Sequence, residues 1–213
     1  RMTATVNGVK ATGKEKLKFV LSKEGETEPE KPSNPEKPEV KVASVKLAKT
    51  SYVYDGKVKK PGIVAKNNKG EKITSKDYTV KYAAGCKNVG TYTVKVTFKG
   101  DYKGTFTKTF NINPKGTSFS KVKAAKKSFS ATWKKQSKQT SGYQLQYSTN
   151  KKFAKSVKTS TISKNTTVKK TVKKLSAKKT YYVRVRTYKN VKAGKKTVKL
   201  YSGWSKVKAV KTK

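Results

Sequence analysis

The chain has 213 residues, 54 of them lysine or arginine and 11 aspartate or glutamate, giving a formal net charge of +43 with no histidine at all. After Asp101 there is no acidic side chain, so the second half lacks the titrating groups of general acid–base catalysis and the His, Cys or carboxylate ligands of hydrolytic metal sites. The chain reads as non-catalytic, with no cofactor and no metal.

The charge is almost wholly lysine, because Arg1, Arg184 and Arg186 are the only arginines. The lysines do not cluster; they recur between short apolar runs, as in Val207-Lys208-Ala209-Val210-Lys211. Alternation of this kind describes half-buried strands with wet outer faces. Such a surface attracts polyanions within a Debye length of about 8 Å, yet no groove-reading or single-strand motif accompanies it, so sequence-specific nucleic-acid binding is not expected. Cys86 is the single cysteine, which rules out an intrachain disulfide; with no histidine beside it, an inert loop position is expected. No apolar stretch approaches the roughly 18 residues of a membrane span, so membrane insertion is not expected. The opening Arg1-Met2-Thr3 carries no signal peptide and reads as a cut into a longer protein.

In chain order, residues 1–23 hold two strand-like pieces, Thr3–Val6 and Leu17–Leu21, with an Asn7-Gly8 turn signal. They are too few for a core and read as the tail of an upstream β domain. Residues 24–40 change abruptly to Glu, Pro, Ser and Asn, with prolines at 29, 32, 35 and 38. That period of three stacks the rings along a polyproline II rod, a semi-rigid spacer. It also carries six of the eleven acids, so an acidic rod precedes basic modules.

Over 41–114, turn signals at Asp55-Gly56, Asn67 to Gly70, Gly85 to Gly90 and Gly100 to Gly104 separate runs such as Tyr78–Tyr82 and Tyr92–Phe98. This predicts a small all-β domain. Tyr54-Asp55-Gly56, Lys76 to Tyr82, Asn88 to Val94, Gly100 to Gly104 and Thr109 to Ile112 together resemble the bacterial Ig-like repeat of large surface adhesins, the MBG type. The resemblance brings no catalytic residues. Its carboxylates, Asp55, Glu71, Asp77 and Asp101, sit at turn signals, where Asp commonly bonds its own backbone. Related surface domains form Lys–Asn isopeptide bonds around a buried carboxylate; the region after residue 114 has none to offer, while the Ig-like region leaves the bond open to test by mass.

Residues 115–213 resemble a fibronectin type III domain. Phe129 to Trp133 fits its B strand, Gly142 to Ser148 its C strand, and Leu175 followed by Tyr181, Val183 and Val185 its E–F corner and F strand. Ala177 stands where many members have proline, and no Arg-Gly-Asp tripeptide occurs. Tyr201-Ser202-Gly203-Trp204-Ser205 is expected on the last strand. The fold expected is therefore all-β, two tandem β-sandwiches after a Pro/Glu-rich linker.

If Tyr181, Val183 and Val185 face the core, Arg184 and Arg186 project from the opposite face of the same strand. A chain that otherwise uses lysine has arginine at these two positions, and guanidinium stacks on aromatic faces better than ammonium. Arg184 and Arg186 against Trp204 are expected to form a structural ladder resembling that of cytokine-receptor fibronectin domains. The alternative is a sugar platform of Tyr182, Tyr201 and Trp204. The resemblances imply an accessory or stalk module at the carboxyl end of a large secreted or cell-surface protein of Gram-positive bacteria, presenting upstream adhesive or hydrolytic domains of the same polypeptide. The alternative function is a lysine-rich module for anionic cell-wall or host (mucin) glycans.

Overall fold

The computed structural model describes residues 39–213 and, before them, Thr5–Val6 and Val9–Lys10. The chain divides into a unit over 1–39 and a compact unit over 40–213. In the first, strands β1 (Thr5–Val6) and β2 (Val9–Lys10) pair antiparallel with Val6 opposite Val9. The strand expected at Leu17–Leu21 and the polyproline rod up to residue 38 lie outside the described residues.

Residues 42–113 form two sheets. One orders β3 (Val42–Leu47), β5 (Ile63–Asn67) and β6 (Lys72–Ile73); the other orders β4 (Ser51–Val53), β9 (Thr105–Asn113), β8 (Gly90–Phe98) and β7 (Tyr78–Tyr82). The β8 sequence explains its own placement: Val94, Val96 and Phe98 are buried while Thr93, Lys95 and Thr97 are exposed, the strict period of two. Phe98 meets the rings of Tyr78, Tyr102 and Phe106 at 5.6, 6.3 and 5.7 Å, all edge-on. Phe110 and Ile112 of β9 complete the core with Val45, Ala65 and Ile73. The pairing of β4 with β9 is parallel, Tyr52 opposite Ile112, an arrangement that alternating hydrophobicity cannot reveal.

Residues 119–211 form a second sandwich. Its smaller sheet orders β10 (Phe119–Ala125), β11 (Ser128–Trp133) and β14 (Lys169–Val172). The larger orders β13 (Lys158–Ile162), β12 (Gly142–Ser148), β15 (Thr180–Ala193) and β16 (Lys196–Tyr201), with β17 (Lys208–Lys211) also on β15. Trp133, Tyr143, Leu145, Val183 and Val185 fill the space between the sheets. The Tyr181 hydroxyl accepts the Ser176 N–H at 3.2 Å, tying the β14–β15 corner to the core. Gly142 is required by close approach: a Cβ there would lie 2.1 Å from the Ile162 carbonyl oxygen. No α-helix occurs among the described residues, whose one helical turn is the 3-10 turn Ser75–Asp77.

The two sandwiches meet at a short, pinned junction. Between β9 and β10 lie residues 114–118, with Pro114 buried. The Lys115 carbonyl accepts the Thr187 hydroxyl at 2.8 Å, and Gln139 Oε1 accepts the Val89 N–H at 3.2 Å.

Candidate functional site

β15 supplies the best-organised polar surface of the second sandwich. Tyr181, Val183 and Val185 are buried, so Tyr182, Arg184 and Arg186 share its outer face. Antiparallel pairing sets Gln146 opposite Arg184 and Gln144 opposite Arg186. Each guanidinium forks over one amide oxygen: Arg184 Nε and Nη2 donate to Gln146 Oε1 at 3.0 and 2.7 Å, and Arg186 Nε and Nη2 donate to Gln144 Oε1 at 2.9 and 2.6 Å. Burial pushes both arginine pKa values down; for Arg186 the Tyr201 phenol opposes this and Arg184 adds to it.

The guanidiniums are interleaved with rings. Arg184 lies 4.1 Å from the Phe153 ring and 4.4 Å from Trp204; Arg186 lies 4.2 Å from Trp204 and 3.8 Å from Tyr201. The order is thus Phe153, Arg184, Trp204, Arg186, Tyr201. Side chains two residues apart on a strand rise about 6.6–6.8 Å, room for one flat ring between two flat cations. The indole of Trp204 fills that slot.

The segment that carries Trp204 departs from expectation. Of Tyr201 to Ser205 only Tyr201 is in a strand, and the last strand, β17, begins at Lys208. The reason is side-chain substitution for backbone. The Ser202 and Ser205 N–H groups donate to the Thr187 and Val185 carbonyls, while their hydroxyls accept the Thr187 and Val185 N–H groups at 3.0 and 3.1 Å. With hydroxyls in place of carbonyls the chain bows out of the ladder and delivers Trp204 to the arginines.

Tyr201 and Trp204 therefore join the two arginines, and Tyr182 does not. It lies on the same face of β15, but no ring or cation contact among the described residues includes it. The three rings form no single open face, since the indole is covered on both sides. Phe153, Gln144 and Gln146 escaped the sequence reading. The glutamines had a signal, alternating on a strand that neighbours β15; Phe153 had none, sitting in a loop at φ +57°.

Elsewhere the acids serve their own turns. Asp55 accepts the Lys57 N–H at 2.8 Å and the Lys59 ammonium at 2.5 Å; Asp77 Oδ2 accepts the N–H of the N-cap residue Thr74 at 3.2 Å; Glu71 accepts an Asn67 Nδ2 hydrogen at 2.8 Å. No Asp or Glu is buried among the described residues, and none of the His, Cys, Asp or Glu residues described gathers into a cluster fit for a metal. Cys86 lies in a turn with its side chain buried; its thiol donates to the Ala83 carbonyl at 2.9 Å, and burial pushes its pKa up. Among the described residues no helix is long and apolar enough to cross a membrane.

Residues 113–202 match the family model of the fibronectin type III domain, a family of generally non-catalytic modules. No curated protein matches the chain significantly. Similar solved structures include the FN1–FN3 domains of chicken CNTN1, at 20% identity and TM-score 0.38, covering 59% of this chain and 43% of that one. A two fibronectin type III domain segment from chicken tenascin is similar at 14% identity and TM-score 0.43, covering 80% of this chain and 99% of that one. The chain thus spans 43% of the length of the CNTN1 segment.

Proposed function

We propose that residues 40–213, which include a fibronectin type III domain, act as a non-catalytic spacer for upstream domains of the same polypeptide, with its own two sandwiches held at a fixed angle to each other. The first sandwich is read as an Ig-like repeat of the MBG type, and the parent as a secreted or cell-surface protein of a Gram-positive bacterium. The observation that carries the reading is the junction. Five residues join β9 to β10, and hydrogen bonds from Thr187 to Lys115 and from Val89 to Gln139 hold both sides of it. A flexible tether would serve display of independent modules better than a pinned one. Residual dipolar couplings from the 213-residue chain test this: one alignment tensor should fit both sandwiches, and two unrelated tensors would sink the reading.

A second reading is favoured by the charge. Lysines line the outward faces of both sandwiches, and no acid after Asp101 offsets them in the second. Anionic cell-wall or host glycans would be held by ammonium point charges with little geometric selection. Retention on an acidic polysaccharide should then fall steeply between low and physiological salt.

A further inference from the structure

Between the two sandwiches lies a cleft of about 670 Å³, within the range of about 300–1,000 Å³ typical of ligand pockets. One wall is the last residue of β4 and the two after it, Val53 to Asp55; the other is the loop Lys135 to Lys138, and Lys115 of the connector also lines the cleft. Both walls are held from behind. On the first, the Tyr54 N–H donates to the Asn113 carbonyl at 2.8 Å, and the Asp55 carboxylate closes its turn on the Lys57 N–H. On the second, the buried Tyr143 hydroxyl accepts the Gln136 N–H at 2.8 Å, and Asn165 Nδ2 donates to the Thr140 carbonyl at 2.9 Å. Gln139, at φ +53°, links this loop to the other sandwich through Val89. The side chains between these anchors stand on backbone already hydrogen-bonded at Tyr54 and Gln136, which lowers the ordering cost of binding.

The chemistry of the lining is specific. Val53 is 59% exposed, an apolar surface left open on the cleft, and Tyr54 adds a half-buried ring. Gln136 and Ser137 bring an amide and a hydroxyl, the donor–acceptor pair that suits sugar hydroxyls. Lys115, Lys135 and Lys138 bring three ammonium groups, none of them in an ion pair among the described residues. Asp55, the one acid on the lining, is taken by Lys59 at 2.5 Å. The cleft is therefore cationic, amphipathic and hydroxyl-matched. A peptide strand would need a ladder edge, and β4 offers three residues.

We propose that this cleft is a binding site for an acidic oligosaccharide, its sugar C–H faces on Val53 and Tyr54 and its anionic groups on Lys115, Lys135 and Lys138. The proposal rests on the pinned junction of the spacer reading, and it narrows the charge-driven reading to one place. Lysine does not distinguish a uronate carboxylate from a sulfate ester, so both are tested.

The 213-residue chain is titrated, at physiological salt, with tetragalacturonate, with a sulfated tetrasaccharide and with neutral maltotetraose, and read by amide chemical shifts. Saturable shifts confined to Tyr54, Asp55 and Lys135 to Lys138, with one or both acidic probes and not the neutral one, are expected. Lys135→Gln with Lys138→Gln should weaken binding about tenfold, whereas Lys169→Gln with Lys170→Gln on β14, an identical charge change, should alter it less than about twofold. Equal losses in the two pairs, shifts spread over all the lysine faces, equal binding of maltotetraose, or no binding of either acidic probe at millimolar concentration would each overturn the site. Equal losses with strong salt dependence leave the dispersed-charge reading standing. A single alignment tensor without binding leaves the spacer reading standing.

Discussion

Ser205 takes both backbone groups of Val185, donating its N–H to the Val185 carbonyl at 2.8 Å and accepting the Val185 N–H on its hydroxyl at 3.1 Å. Ser202 does the same to Thr187 one pleat along β15. Two serine hydroxyls therefore replace two strand carbonyls, and Trp204 hangs between them. Ser205→Ala should leave the Val185 N–H without a partner at a cost of about 1–3 kcal/mol. Hydrogen exchange should localise the damage to the Val185 amide; an unchanged protection factor there would contradict the substitution mechanism.

Arg184→Lys combined with Arg186→Lys keeps the net charge and removes the planar stacking. Each arginine touches two rings and forks over a glutamine oxygen. Exposed cation–π contacts are worth about 0.5–1 kcal/mol, so the pair should destabilise the second sandwich by about 1–2 kcal/mol, seen as a lower urea midpoint at constant slope. A shift of the midpoint too small to measure would mean that the ladder is ornament on a fold stabilised elsewhere.

Alkali should weaken the fold. Burial, first among the causes, raises the phenol pKa of Tyr82, Tyr92, Tyr143, Tyr147 and Tyr188 above the ordinary 10.0. The neutral phenol is favoured in the folded state, so stability is complete below pH 10 and falls as pH rises through the raised values. Tyr143→Phe tests the most buried of the five. It removes the hydroxyl bonded to Gln136 N and, at 3.0 Å, to the Asn165 carbonyl, costing about 1–2 kcal/mol at neutral pH and flattening the alkaline limb.

Gln139→Ala removes the acceptor of the Val89 N–H. The expected result is loss of exchange protection at Val89 and a poorer common tensor for the two sandwiches, with little change in the core of either. Unfolding of one sandwich instead would assign Gln139 a purely local role.

Intact mass should equal that of the unmodified sequence. An isopeptide bond expels ammonia and needs a buried carboxylate to move the proton, and every described Asp and Glu is at least partly exposed. A mass lower by one ammonia would overturn this.

Much of the architecture was legible because burial follows period two where strands are half wet. β8 alternates Val94, Val96 and Phe98 against Thr93, Lys95 and Thr97, and the same rule put Arg184 and Arg186 on one outer face. The rule fails where side chains act as backbone: Ser202 and Ser205 look like ordinary strand residues, and Trp204 was accordingly placed on a strand it does not occupy. It fails again in the run from Val207 to Lys211, where Val207 is 41% exposed and Val210 is buried. Val207 precedes β17, and residues three apart, as Val207 and Val210 are, cannot share one face of a strand. Phe153 joined the arginines from a loop in the left-handed region, a placement that depends on the Asn150 turn holding it and not on any spacing. The cleft between the sandwiches was invisible for a simpler reason. Its walls are some eighty residues apart in sequence, and neither wall carries a motif.

The parallel pairing of β4 with β9 bears on what happens when the chain is pulled from both ends. Ser51, Tyr52 and Val53 face Asn111, Ile112 and Asn113, with Thr50 and Tyr54 bonded at the two ends of the patch. Tension arriving from the amino side and leaving through Asn113 draws these strands along each other, so the hydrogen bonds of the patch load together in shear. An antiparallel hairpin such as β8–β9, gripped at its open end, would instead unzip one bond at a time. The first sandwich thus has a mechanical clasp just behind β3, the strand that a pull from the amino side loads before β4.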